Sequence, residues 1–449
     1  MEKAESDVSR VLVAMSGGVD SSVAAALLVD AGHDVIGVTM KTFCYSDIPA
    51  HGKTCCGLDG IMDAKRVASA LGIPHYVFDV EEDFTRDVID DFVSEYARGR
   101  TPNPCVRCNS NTKFRDLLAR GEALGCDQIA TGHYVQVQPD ADGVALLRGR
   151  DEDKDQSYFL WGLPPSMLPR LLFPLGGLTK GEVRERAREL QLATADKPES
   201  QEICFVPTGD YRDLLRKRLG SVHPALEPGT IVRTDGTVVG EHSGFAGFTV
   251  GQRRGLGGGF SEPMFVLEIR PDSREVVVGP REELFGAVVS VQELNWLTTP
   301  PSQNDEVRVQ LRYRAPAIPA TVLEVGSELT LALGKAQPAI TPGQSAVVFD
   351  RSRVLGGGRI VEDEPFLPFR SDHRHSRFNA GVRWPPQSPP SPFGPPRRAV
   401  RESTPRPRRA DHPFGPLSRC LDSGFETSSL IGYPRESSAQ LAFRKSSAL

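Results

Sequence analysis

Short apolar runs alternate with helix-patterned segments from Arg10 to Val135, and few folds accommodate that alternation. "RVLVAM", "DVIGVTM", "HYVFDV" and "DQIATGHYV" are strand-length. Between them lie "SSVAAALLVDAG", "LDGIMDAKRVASALG", "FTRDVIDDFVSEYARG" and "TKFRDLLARGEALG", with apolar residues at helical spacing and Gly at the stops. Continuous apolar strands joined by helices predict an α/β, doubly wound parallel sheet covered on both faces. Ligands of such sheets bind beyond the carboxyl ends of the strands.

Near "DEDKDQSYFLWGL" the pattern turns more helical, and Thr179 with Glu182 predicts a capping box. Beyond Gly220 the apolar period becomes two. "GTIVRTDGTVVG" predicts a hairpin turning at Asp235–Gly236, and "PMFVLEIRPDSREVVVG" a second one. Short strands follow from Ala287 to Val361, the pattern of a β barrel. The expected domains are residues 9–219, α/β; 220–286, a small β domain; 287–365, a C-terminal β barrel; and 366–449, a Pro/Arg-rich tail. That tail has no usable period and is expected to be disordered; RNA binding by its arginines is the alternative reading.

Of 449 residues, 39% are hydrophobic and 25% charged, which suits globular domains with real cores. No apolar run approaches membrane-span length and the charged start "MEKAESDVSR" is unlike a signal peptide, so a cytoplasmic protein without membrane contact is expected. With a net charge of −5, a nucleic-acid partner would need local basic patches. Eight cysteines in such a chain argue for metal or sulfur chemistry rather than a disulfide scaffold.

"AMSGGVDSS" (residues 14–22) falls between the first strand and the first helix. Gly17 and Gly18 let backbone amides approach an anion, and the following helix adds partial positive charge. Ser16, Ser21 and Ser22 supply hydroxyls, and Asp20 is the expected holder of a magnesium ion. The string lacks the Gly-Lys-Ser/Thr of a Walker loop and the G-x-G-x-x-G of a dinucleotide loop.

"TPNPCVRCNSNTKF" (residues 101–114) carries a Cys-x-x-Cys pair, Cys105 and Cys108. Alone, it could be a zinc half-site, a redox couple, an iron–sulfur ligand pair, or a nucleophile with a helper. Cys44, Cys55, Cys56 and His51 share one short segment that is either a metal-binding loop or incidental; Cys126 reads as a small core residue, and Cys420 carries no reading.

SGGVDS resembles the signature of PP-loop ATP pyrophosphatases, which split ATP between the α and β phosphates and adenylate an oxygen. "GRTPNPCVRCNSNTKF", "IATGHYV", "DKDQSYFL", "SQEICFV", "TVGQRRGLG" and "TPGQSAVVFD…LGGGRI" follow in order. Together they resemble the tRNA-specific 2-thiouridylase family over roughly residues 9 to 365. The resemblance implies ATP-dependent sulfur transfer to the wobble uridine of tRNA, with sulfur from a cysteine desulfurase or a relay protein. It implies a nucleotide site at Ala14, Met15, Ser16, Gly17, Gly18, Val19, Asp20, Ser21, Met40 and Gly132, with His133 beside it.

Sulfur transfer then falls on Cys108 and Cys204, with Arg107 and Lys113 as candidate activators of the thiols by sequence proximity. Many members of the resembled family carry Asp where this chain has Cys105. That departure leaves two routes open: a persulfide on Cys204 with Cys108 as partner, or a [4Fe–4S] cluster on Cys105, Cys108 and Cys204. The implied tRNA contacts are Asn103, Pro104, Cys105, Lys154, Asp155, Gln156, Arg312, Tyr313 and Gln344. Two other readings are a PP-loop ligase acting on a small molecule and a non-catalytic tRNA-binding protein. The first leaves Cys108 and Cys204 unexplained, the second the phosphate loop.

Overall fold

The computed structural model describes residues 8–42, 58–141, 143–198, 203–206, 209–220, 222–258 and 260–362. Cys44, His51, Cys55, Cys56, Cys420 and the tail from 366 lie outside the described residues. The strands of the first half are β1 (Arg10–Ala14), β2 (Asp34–Lys41), β3 (His75–Asp79), β4 (Gln128–Ala130), β5 (Val135–Asp140), β6 (Gly143–Arg148) and β7 (Leu171–Leu172). Five of them form the expected parallel sheet in the order β3-β2-β1-β4-β7. The first strand is central, so the chain leaves it in both directions. The carboxyl ends of β1 and β4 therefore flank the crevice where such sheets bind ligands.

Alternation along β1 divides its residues between two cores. Val11 and Val13 join the cluster of α1 (Val19–Asp30) and α2 (Leu58–Leu71), while Leu12 joins Leu117 and Leu118 of α6 (Phe114–Ala123). Between β3 and β4 the chain is helical in pieces: α3 (Glu81–Phe84), α4 (Asp90–Ala97), α5 (Pro104–Arg107) and α6. Two π-helical stretches, Thr85–Ile89 and Cys108–Lys113, interrupt it. Apart from Lys113, "CNSNTK" has no strong helix former, and its Asn, Ser and Thr side chains compete for backbone partners.

α7 (Lys180–Glu189) opens with the expected Thr179–Glu182 capping box, and α8 (Tyr211–Leu219) follows. Strands β8 (Gly229–Arg233), β9 (Val238–His242), β10 (Phe265–Arg270) and β11 (Glu275–Gly279) make the small β sheet. The β8–β9 hairpin turns at Gly236, whose φ is 84°, and β10–β11 is the second predicted hairpin. The last strands are β12 (Phe285–Trp296), β13 (Glu306–Gln310), β14 (Ile318–Val325), β15 (Leu329–Pro338), β16 (Ser345–Asp350) and β17 (Arg353–Val361). They close into a six-stranded barrel through β12–β17, around Val291, Val309, Val322, Leu331 and Val348. The β5–β6 hairpin leaves the parallel sheet and extends the barrel sheet beside β17.

Candidate active site

The phosphate loop is shaped by close backbone packing. Gly17 has φ 71°, and a Cβ there would lie 2.2 Å from the Gly60 carbonyl oxygen at the start of α2. Ser16 N donates to Ser21 Oγ at 3.1 Å, and Ser21 Oγ donates to Gly18 O at 3.1 Å. Ser22 Oγ donates to the same carbonyl at 2.8 Å. Gly132, just past β4, packs so tightly on α1 that a Cβ would sit 2.9 Å from Ser21 N. Met15 is locked to β2: its amide donates to Val38 O, and its carbonyl accepts from Thr39 Oγ1, both at 2.7 Å. Val19 and Met40 are core residues at the rim of this crevice, and Ala14 packs on the same core as Met40.

Asp20 stands at the mouth of the loop, but its carboxylate is already engaged. Lys180 Nζ lies 2.7 and 2.8 Å from its two oxygens, and Tyr134 Oη donates to it at 2.7 Å. A metal ion at this carboxylate would have to displace Lys180, so the donor set as built does not fit magnesium. A second lysine, Lys197, donates to Gly17 O at 2.9 Å and pairs with Asp63 at 2.7 Å. Neither lysine was picked out in the sequence. Lys180 had one signal, its place as the first residue behind a legible capping box.

His133 is flanked by the rings of Phe114 and Phe173, with Nδ1 2.6 Å from Thr131 Oγ1. Burial, and then the charge of Lys113, hold its pKa well below the ordinary 6.5. The ring is thus a neutral hydrogen-bonding group at pH 7. In the unfolded chain it would take a proton near pH 6.5 while the folded ring would not. Its contribution to stability is complete above that pH and lost as the pH falls below it. His133→Gln should reduce the acid-side slope of unfolding free energy by up to about 1.4 kcal/mol per pH unit, measured by urea unfolding between pH 7 and 5.5.

The cysteines lie beyond the loop. Cys105 is exposed on α5, and Cys108 opens the π-helical stretch. Cys108 and Cys204 both pack, half-buried, against one cluster containing Phe84, Phe92 and Phe205. Phe205 fixes the Cys204 segment edge-on to Phe92 and Phe84, at centroid distances of 5.3 and 5.8 Å. Two thiols distant in sequence therefore border one core. Among the described residues no group of three His, Cys, Asp or Glu side chains is placed to hold a metal ion, so the three cysteines do not form a cluster site as arranged. Arg107, a candidate thiol activator, pairs with Glu293, and its Nε lies 3.3 Å from Asp91 Oδ1. Cys126 is the core residue the sequence predicts, and burial pushes its thiol pKa up.

Three family profiles match in succession: "tRNA methyl transferase HUP domain" over residues 9–208, "tRNA methyl transferase PRC-barrel domain" over 215–280, and "Aminomethyltransferase beta-barrel domain" over 287–360. The tRNA-specific 2-thiouridylase MnmA of Rhodospirillum centenum is 48% identical over 373 residues, covering 81% of this chain and 94% of the relative. That of Geobacter metallireducens is 48% identical over 357 residues, covering 78% and 96%. The chain belongs to the MnmA tRNA-specific 2-thiouridylase family. A solved 4-thiouridine synthetase–RNA complex with bound ATP is similar only at a TM-score of 0.30 and 16% identity, over 46% of this chain and 50% of that one.

The positions that resemblance to the 2-thiouridylases implies for RNA divide in two. Several face inward. Asp155 is buried and accepts from Arg148 Nη1 (2.6 Å), Gly149 N (3.0 Å), Ser157 N (3.1 Å) and Ser157 Oγ (2.8 Å). Gln156 Oε1 accepts from the Tyr134 amide at 3.0 Å, steadying the residue that holds Asp20. Gln344 Nε2 donates to Thr101 O at 2.8 Å, just ahead of the half-buried Asn103 and the buried Pro104. Pro104 and Asp155 are buried in the framework, while Asn103, Gln156 and Gln344 are half-buried. Arg312 is exposed, Tyr313 half-buried and Lys154 half-buried in the turn before Asp155. β13 ends at Gln310, and Arg312 and Tyr313 form the turn beyond it. Arg314, not picked out in the sequence, joins them with its guanidinium 5.4 Å from the Tyr313 ring centroid. Among the described residues no helix is long and apolar enough to cross a membrane.

Proposed function

We propose that the chain is an ATP-dependent tRNA 2-thiouridylase acting on the wobble uridine. The observation that carries this reading is the presence, in one chain, of a phosphate loop at the mouth of the parallel sheet and of two thiols, Cys108 and Cys204, that pack on one core. ATP binds over residues 14–21, with Met40 and Gly132 at its rim and neutral His133 donating a hydrogen bond.

The uridine C2 oxygen attacks the α-phosphorus, forming C2–O–AMP and releasing pyrophosphate. The terminal sulfur of a Cys204 persulfide then attacks C2 and expels AMP, which carries the former C2 oxygen. Cys108 thiolate attacks the Cys204 sulfur of the resulting C2–S–S–Cys204 linkage. The products are 2-thiouridine and a Cys108–Cys204 disulfide, which a dithiol reductant reopens. The persulfide sulfur comes from a cysteine desulfurase or a relay protein. This route needs two thiols on one core and no three-ligand metal site, which is why it is favoured over a cluster-bound sulfide. The turn of exposed Arg312 and Arg314 around half-buried Tyr313, with Lys154, supplies charge and a ring for a single-stranded anticodon loop. The profile descriptions speak of methyl transfer, but the phosphate loop and paired thiols suit adenylation and thiolation. Purified protein given unmodified tRNA, ATP and inorganic polysulfide should form 2-thiouridine with one AMP per thiolation. AMP-independent product or none would refute the reading.

A further inference from the structure

The barrel sheet grips the cysteine helix at both ends. Ahead of Cys105, Gln344 Nε2 donates to Thr101 O and the Thr101 amide donates to Pro342 O, each at 2.8 Å. Behind it, Arg107 of α5 pairs with Glu293 of β12 and reaches Asp91 of α4. Arg359 of β17 is only 8% exposed and completes the group. Its Nη2 lies 3.0 Å from Asp91 Oδ1, its Nη1 2.6 Å from Glu95 Oε2 and its Nε 3.3 Å from Glu293 Oε1. Guanidiniums and carboxylates from four elements thus meet on one face of the helix. A cavity of about 130 Å³ adjoins them, lined by Asn103, Arg107, Ser110, Glu293, Asn295 and Arg359 among others. Asn103, Arg107 and Ser110 recur at helical spacing on that side, and neither Cys105 nor Cys108 lines it.

Two features mark this cluster as a holding device. Glu293 has φ 52°, in the left-handed region that non-glycine residues seldom adopt, where the β12–β17 ladder slips between Gln292 and Asn295. Bulges of this kind re-aim a side chain, and this one sends a carboxylate to both Arg107 and Arg359. The second is position: Cys108 follows Arg107 directly and begins the π-helical stretch, where regular α-helical bonding is interrupted. A buried ion cluster is weak as a source of stability but well suited to fixing register.

We propose that Glu293 and Arg359 are positioning residues for sulfur transfer: through Arg107 they hold the helix that carries Cys108 in fixed register against the barrel. This rests on Cys108 being the transfer thiol. Adenylation takes place at the phosphate loop and does not draw on the clamp. The sulfur step does, because reacting atoms must be held at about 3–3.5 Å, and small misplacements there are costly.

The test uses the full chain loaded with inorganic polysulfide and mixed with unmodified tRNA and excess ATP in a single turnover. Glu293→Asn removes the carboxylate while keeping a residue that tolerates positive φ. Its melting temperature and pyrophosphate release should match wild type, while 2-thiouridine formation falls about ten- to hundred-fold. Arg359→Lys, which keeps the charge but not the fork, should show the same split to a smaller degree. Wild-type thiolation in Glu293→Asn overturns the clamp. So does an equal fall in pyrophosphate release and thiolation with a lowered melting temperature, which marks a role in folding alone. Cys108→Ser separates the two claims. If that variant still thiolates, the thiol assignment fails and the clamp with it. If it is inactive while Glu293→Asn behaves as wild type, only the clamp fails.

Discussion

Cys204→Ser is expected to lose 2-thiouridine formation by at least about a thousand-fold while tRNA-dependent pyrophosphate release persists. A serine hydroxyl cannot carry a persulfide, yet the phosphate loop is untouched by the change, since Cys204 packs against the Phe84–Phe92–Phe205 cluster instead. Cys108→Ser should fail differently. The persulfide can still attack the activated base, but no thiolate follows to cleave the linkage. The tRNA should therefore accumulate as a protein adduct through Cys204 that thiols release, visible on a non-reducing gel. Cys105→Ala should retain activity, because its exposed side chain is not one of the two half-buried thiols on that core. Loss of all thiolation in Cys105→Ala, with iron bound to wild type, would favour the cluster route.

Gly17→Ala is the second large effect. The new methyl would meet backbone, with Gly60 O at 2.2 Å and Gly60 C at 2.8 Å, so no side chain can swing aside. The positive φ adds about 1–2 kcal/mol and the overpacking about 1–3 kcal/mol, so the loop must shift or the fold loses stability. Either outcome removes the amide cradle between β1 and α1. Pyrophosphate release should fall below detection, and the melting temperature should drop by several degrees. Normal ATP turnover in Gly17→Ala would show that the loop does not bind phosphate.

Local patterns carried the fold well. The parallel sheet is readable because β1, β2 and β4 are buried apolar runs, although its edge strand β3 is largely exposed. The β8–β9 turn was readable because Asp235–Gly236 meets a hairpin's need for positive φ, and the α7 start because Thr179 and Glu182 satisfy each other's backbone. The loop and Cys108 could likewise be located from short strings. What stayed hidden depends on contacts between distant parts of the chain. Nothing around Lys180 says that it faces Asp20, and nothing in "LGGGRI" says that Arg359 meets Asp91, Glu95 and Glu293. The resemblance points to Asp155 and Gln344, but not to the framework hydrogen bonds they make to Gly149 N and Thr101 O. Sequence proximity makes Arg107 a candidate thiol activator but does not show that its guanidinium meets the carboxylates of α4 and β12.

On the proposed route, ATP activates the C2 oxygen of a tRNA uridine so that sulfur can replace it. Transfer RNA carrying ¹⁸O at C2 of the wobble uridine tests this directly, with AMP from a single turnover analysed by mass spectrometry. One ¹⁸O atom should appear in AMP for every 2-thiouridine formed. Unlabelled AMP, with thiolation proceeding normally, would contradict the account.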